Sequence, residues 1–119
     1  MTRTFVRVLA ALSLTLVLAA YTPVPAQGGH LEISMDELVD DTWGNRVVAR
    51  GAVEIRFYGE ILLADEVIYD RGTRKLTAHG NVILHDVEGK VTEASAMTLH
   101  DDLRDAFVAY ARRQNVRIP

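Results

Sequence analysis

Apolar and polar positions alternate along most of this chain. Val47-Val48-Ala49-Arg50 and Ala52-Val53-Glu54-Ile55-Arg56-Phe57 place Val47, Ala49, Val53, Ile55 and Phe57 on one side of an extended chain and Arg50, Glu54 and Arg56 on the other. That is the period-2 signature of a half-buried strand. Lys75 to His85 repeats it: Leu76, Ala78, Val82 and Leu84 point in, while Lys75, Thr77, His79 and Ile83 point out. Gly51 and Gly80 fall between paired runs, where the chain must bend sharply or approach a neighbour closely. Asp41-Thr42-Trp43-Gly44-Asn45 and Asp70-Arg71-Gly72-Thr73-Arg74 carry turn chemistry. The pattern predicts an all-β, antiparallel chain of short strands, three or four to a unit.

The unit repeats. Asp36, Glu37, Asp41, Ala49, Gly51 and Val53 recur as Asp65, Glu66, Asp70, Ala78, Gly80 and Val82, each 29 positions on. A weaker third copy begins at Gly89, 30 positions after Gly59, which divides the chain into repeats at about 31–58, 59–88 and 89–110. Self-similarity at this period means stacked units that bury a core only against their neighbours. In each copy the inward positions slip at one place: Ala64, Val67 and Tyr69 step by three and then two, as do Ala94, Met97 and Leu99, and Met35 to Leu38 takes the same three. A fixed slip implies a bulge or corner, so the sheet should curl into a roll. Behind Asp101 and Asp102, Leu103, Ala106, Phe107, Tyr110 and Ala111 fall at helical spacing, whereas Phe107, Ala109 and Ala111 alternate. The alternation favours a strand, with the helix as the other reading.

Composition narrows the setting. Arg3 and Arg7 precede an apolar run from Val8 to Ala20, and Val24-Pro25-Ala26 offers a small-residue cleavage site. Residues 1–26 thus read as a secretory signal peptide, too short and wrongly flanked for a membrane span. Leu18-Ala19-Ala20 resembles a lipobox, but Tyr21 stands where its cysteine would be. Residues 27–119, the predicted mature domain, have lost only Arg3 and Arg7 of the 13 Lys+Arg, leaving 11 against 16 Asp+Glu and a net charge of −5. That balance disfavours nucleic acid and anionic membrane surfaces as partners. There are no cysteines, so no disulfide staples a chain of this small size.

Ala64-Asp65-Glu66-Val67-Ile68-Tyr69-Asp70, then Leu76-Thr77-Ala78-His79-Gly80-Asn81-Val82-Ile83-Leu84, then Leu99-His100-Asp101-Asp102-Leu103-Arg104-Asp105-Ala106-Phe107-Val108 together resemble the OstA-like (LptA) family of periplasmic lipopolysaccharide-transport domains. The nearest likeness is to the N-terminal periplasmic domain of its LptD branch, over roughly residues 31–108. The resemblance implies a β-jellyroll opened into a V-shaped trough whose apolar inside carries lipid acyl chains, and edge strands that join one subunit to the next. It implies a periplasmic, non-enzymatic protein of outer-membrane assembly, without cofactor or metal. Its partners would be lipopolysaccharide, through the acyl chains of lipid A, and related jellyroll proteins or copies of itself. Two departures stand out. The chain stops soon after Val108, as a short or incomplete version of the fold, and Ala106 stands where the family's turn usually has glycine.

On that resemblance the trough would be lined by Val47, Ala49, Val53, Ile55, Phe57, Leu63, Val67, Tyr69, Leu76, Ala78, Val82, Leu84 and Met97. Alone, the residues read first as a closed core, which is what alternating apolar faces usually form. Leu31 and Ile33 at one end, and Phe107 and Ala109 at the other, would be edge strands able to take a partner. His79 and His85 lack the His-x-His pattern of a metal-binding roll and read as surface histidines. Asp36-Glu37 and Asp65-Glu66 recur with the fold's period, so they read as corner residues accepting backbone N–H bonds rather than as catalytic pairs. Arg50, Arg56, Arg74 and Lys75 read as solvated outer-face charge, with lipid phosphates at a rim as the other possibility. Trp43 is expected to cover the open end of the roll. A docking module without lipid, a remnant of an LptD-like protein, is the rival to lipid carriage.

Overall fold

A computed structural model describes residues 31–119; the predicted signal peptide lies outside them. The described residues form β1 (Leu31–Ser34), β2 (Glu37–Asp41), β3 (Arg46–Phe57), β4 (Glu60–Asp70), β5 (Lys75–His85), β6 (Val91–Thr98) and a helix, α1 (Asp101–Arg113). All six strands belong to one open antiparallel sheet, in the order β1-β3-β4-β5-β6, with β2 pairing β3 beyond β1. The all-β expectation holds for the sheet, but its strands are longer than the sequence suggested. Gly51 and Gly80 do not separate short strands; they lie inside β3 and β5, as the bends of continuous ones.

Tight turns join the strands. Tyr58 (φ 47°) and Gly59 (φ 93°) form a two-residue link in which both residues are left-handed, matching the twist of a hairpin. At the other end the loops start with aspartates. Asp41 Oδ1 accepts the Gly44 N–H at 2.9 Å, and Asp70 Oδ1 accepts the N–H groups of Gly72 and Thr73 at 2.8 and 3.0 Å. The Gly44 N–H, with the Arg46 guanidinium, holds the Asp41 carboxyl below the usual carboxylate range. Trp43, expected as a cover, is instead 99% exposed at the tip of its turn. A loop closed by its own aspartate leaves that side chain nothing to pack on.

Each ladder breaks once, at the slip seen in the sequence: between Arg50 and Val53, between Leu63 and Glu66, and between His79 and Val82. Gly51 (φ 85°) with Ala52 (φ 46°), and Gly80 (φ 81°) with Asn81 (φ 49°), are left-handed pairs that supply the extra residue of the bulge. Over each glycine sits an aspartate. A Cβ on Gly51 would lie 2.3 Å from Asp36 Oδ2, and one on Gly80 would lie 2.5 Å from Asp65 Oδ2. Only glycine tolerates both the backbone angle and that approach. Asp65 also accepts the Asn81 side-chain amide at 2.9 Å. The corner aspartates are thus where the sequence placed them. Both press on glycine, and Asp65 takes a side-chain donor rather than a backbone N–H.

These corners fold the sheet onto itself. The Leu99 N–H bonds the Leu76 carbonyl at 2.9 Å, at the end of the sheet where Leu76 pairs with Tyr69. The next residue, His100, reaches Glu60 at the far end of β4, Nε2 to Oε1 2.7 Å. Glu60 and Tyr69 are nine residues apart, about 30 Å in a flat strand. Two side chains and one peptide span that gap only if the two arms of the sheet incline toward each other. Between them lies α1, whose Leu103, Phe107, Val108 and Ala111 join Val47 and Ala49 of one arm and Val53, Ile55 and Leu62 of the other in one cluster.

The end of the chain is therefore a helix, and the strand reading of 101–113 is corrected. The physical reason lies in its ends. His100 Nδ1 accepts the Leu103 N–H at 3.3 Å as N-cap, Asp101 and Asp102 occupy the first turn, and Arg112 and Arg113 the last. Asn115 (φ 68°) then closes the helix, with Val116 N–H on Ala111 O and Asn115 N–H on Arg112 O, both 3.0 Å, as a Schellman motif.

Gly80→Ala should cost about 2 kcal/mol or more, from the left-handed angle and the contact with Asp65. Gly89→Ala, at φ 88° but facing open space, should cost only about 1 kcal/mol. Urea midpoints measure both, and equal losses would show that the Asp65 contact adds nothing.

Candidate functional site

The inner face is built by the pleat and its corners. Val47, Ala49, Val67, Leu76 and Ala78 are fully buried in one arm, and Val53, Ile55 and Val82 are 1% exposed in the other. Tyr69 is buried beside them, and Phe57, Leu84 and Met97 pack half-buried at the margin. Of the residues expected on this face, one is not there. Leu63 pairs with Glu54 and points to the opposite side, while Leu62 pairs with Ile55 and is 1% exposed inside. Counting back from Val67 across the slip gives Ala64 and then Leu62, so the same corner rule that predicted the bend locates the true lining residue.

No polar or charged residue is buried among the described residues, so the interior is wholly apolar. It is also full. The side chains of α1 occupy the space between the arms, with Phe107 completely buried. Phe107 and Ala109, expected on an edge strand, are helical, and Phe107 is part of the core. The sheet's free edges are β1 with β2 on one side, carrying Leu31 and Ile33, and β6 on the other. Leu103 and Val108 complete the interior from the helix; the helical spacing with Phe107 and Ala111 was the signal for Leu103, and Val108 lay outside it. Ile118, buried in the segment after α1, had no periodic signal.

Polar contacts tie down the ends. Arg71 donates to Asp40 Oδ1 at 2.7 Å, to the Arg117 carbonyl at 3.1 Å and to the Arg46 carbonyl at 3.3 Å. It therefore fastens β2, β3 and the segment after α1 to one turn. A cleft of about 550 Å³ beside it, walled by Asp40, Asn45 and Asn115, faces a guanidinium whose donors are largely committed. Arg56 pairs with Glu54 at 2.6 Å and Arg50 with Glu37 at 3.7 Å, on exposed surface where such pairs add little. Arg74 and Lys75 stand exposed at the β4–β5 turn. His79 and His85 both lie on β5, on either side of its corner, half-buried against Glu66 and Ile61 respectively. Among the described residues no group of three His, Asp or Glu gathers as metal ligands, and no helix is long and apolar enough to cross a membrane. Comparison with protein-family models, with curated proteins and with solved structures gives no match in any of the three.

The phase of β4 is testable by truncation. Leu62→Ala should cost about 3 kcal/mol and Leu63→Ala about 1 kcal/mol or less, by denaturant unfolding. The reverse order would place Leu63 inside.

Proposed function

We propose that this chain is an exported, periplasmic module of lipopolysaccharide transport, which holds acyl chains on the inner face of its bent sheet and joins related sheet domains through its edges. It performs no chemistry of its own. The observation that carries the reading is the interior: a folded antiparallel sheet with an unbroken apolar inner face and no buried polar group. The likeness of residues 31–108 to the OstA-like family supports the same reading, as does the apolar run read as a signal peptide.

Lipid must compete with the helix for this face. An acyl chain of about 12 carbons gains on the order of 9 kcal/mol on leaving water, at ~0.8 kcal/mol per CH₂. The buried Leu103, Phe107, Val108 and Ile118 together account for about 6–12 kcal/mol. One acyl chain is thus an even match for α1 and the segment after it, so lipid carriage requires that α1 leave the space between the arms at little net cost. The closed interior itself favours a second reading, docking without lipid, in which α1 is a permanent part of the core.

Photocrosslinking in a Gram-negative cell separates the two. A photoreactive residue at Ile55 is expected to give a lipopolysaccharide adduct and one at Glu54, on the outer face, none. Adducts from neither site, in protein shown to be exported and folded, would remove lipid carriage and leave docking.

A further inference from the structure

The corners of the sheet come in two widths, and they alternate. Between matched pairs, β3 brings Gly51 and Ala52 against the single Asp65 of β4. β5 brings Gly80 and Asn81 against the single Ser95 of β6. The other junctions follow suit: from Leu63 to Glu66, β4 has two residues where β5 has three, and between Ser34 and Glu37 the chain has two where β3 has three. Glycine strands, β3 and β5, are wide at the corner; β1–β2, β4 and β6 are narrow. A bend needs a wide strand beside a narrow one, because the extra residue on one side turns the ladder.

Both free edges are therefore narrow. β1–β2 turns at Asp36 and β6 at Ser95. β6 is the longest unbroken strand at an open edge: eight residues with one charge, Glu93, no proline, and Val91 half exposed. Few of the devices that protect edge strands are present. Joining β6 of one copy to β1–β2 of the next would set Ser95 against Asp36, with no added residue on either side to turn the corner.

We infer that the β6 edge takes an antiparallel strand from a different protein, one that carries a glycine followed by a second left-handed residue at its corner, and that it does not take another copy of this chain. Within the chain, the strand facing a narrow residue always supplies that pair. Asp36 lies over Gly51 and Asp65 over Gly80, and Ser95 holds the same place at the free edge. The partner strand alternates apolar and polar residues on either side of its glycine, so that the inner face continues past Ala94 and Met97. This inference rests on the docking half of the proposed function and is independent of lipid carriage.

The test uses the purified chain and synthetic peptides. One copies Lys75–His85, with its Gly80-Asn81 corner; a second carries Gly80→Ala; a third copies Glu60–Asp70, whose corner is narrow. Fluorescence anisotropy gives affinity, and hydrogen exchange of the Val91–Thr98 amides reports the site. The first peptide should protect the β6 amides and bind about tenfold or more tightly than the other two, the penalty of one left-handed alanine. Sedimentation should show the chain alone as a monomer. Equal binding by all three peptides, no β6 protection by any, or self-association that protects β6 would each overturn the inference. A lipid adduct in the crosslinking experiment alters none of these outcomes.

Discussion

A left-handed glycine beneath an aspartate is the contact on which this architecture turns. Without Gly51 and Gly80, β3 and β5 could not take in an extra residue at the corner, and their ladders would run straight. A straight sheet would leave its apolar face open to water, since one 13-residue helix is only about 20 Å long. Folding the sheet halves the surface to be covered and lets one helix serve both arms. The two corners differ in cost. Asn81 is a residue that accepts the left-handed region and is held by Asp65, whereas Ala52 adopts it at about 1 kcal/mol without a side chain to be held.

Much of this was legible along the chain. Alternation gave the strands and their inner face, the 29-residue recurrence of Gly51 and Gly80 marked the corners, and the three-then-two slip gave their phase. Leu63 went astray because strict alternation was carried through the corner rather than counted back across it. The end of the chain was harder, since Phe107 and Ala111 satisfy both periods. End signals decide between them: His100 and the two aspartates start a helix, and Asn115 stops it. One period beyond Gly80 stands Ala109, which offers no glycine for a third corner.

Contacts between distant side chains left no local trace. Arg71 looked like a turn residue, yet its guanidinium gathers three segments, one of them 46 residues away. Glu60 and His100 carry no pattern that links them, although their contact joins the tips of the two arms. The Glu60–His100 pair exists only because the corners bring the ends of the sheet together, whereas Arg71 reaches Asp40 and Arg46 across neighbouring turns at one end.

The strand order has a consequence for how the molecule forms. From β3 to β6 every strand pairs with its successor in sequence, so each hairpin can close as soon as its second strand is available. Loops this short are entropically cheap, and chains dominated by local contacts fold quickly. The helix is last in sequence, and its docking completes the core. The element that covers the greasy side of the bent sheet is thus the last to become available, after every strand it packs on.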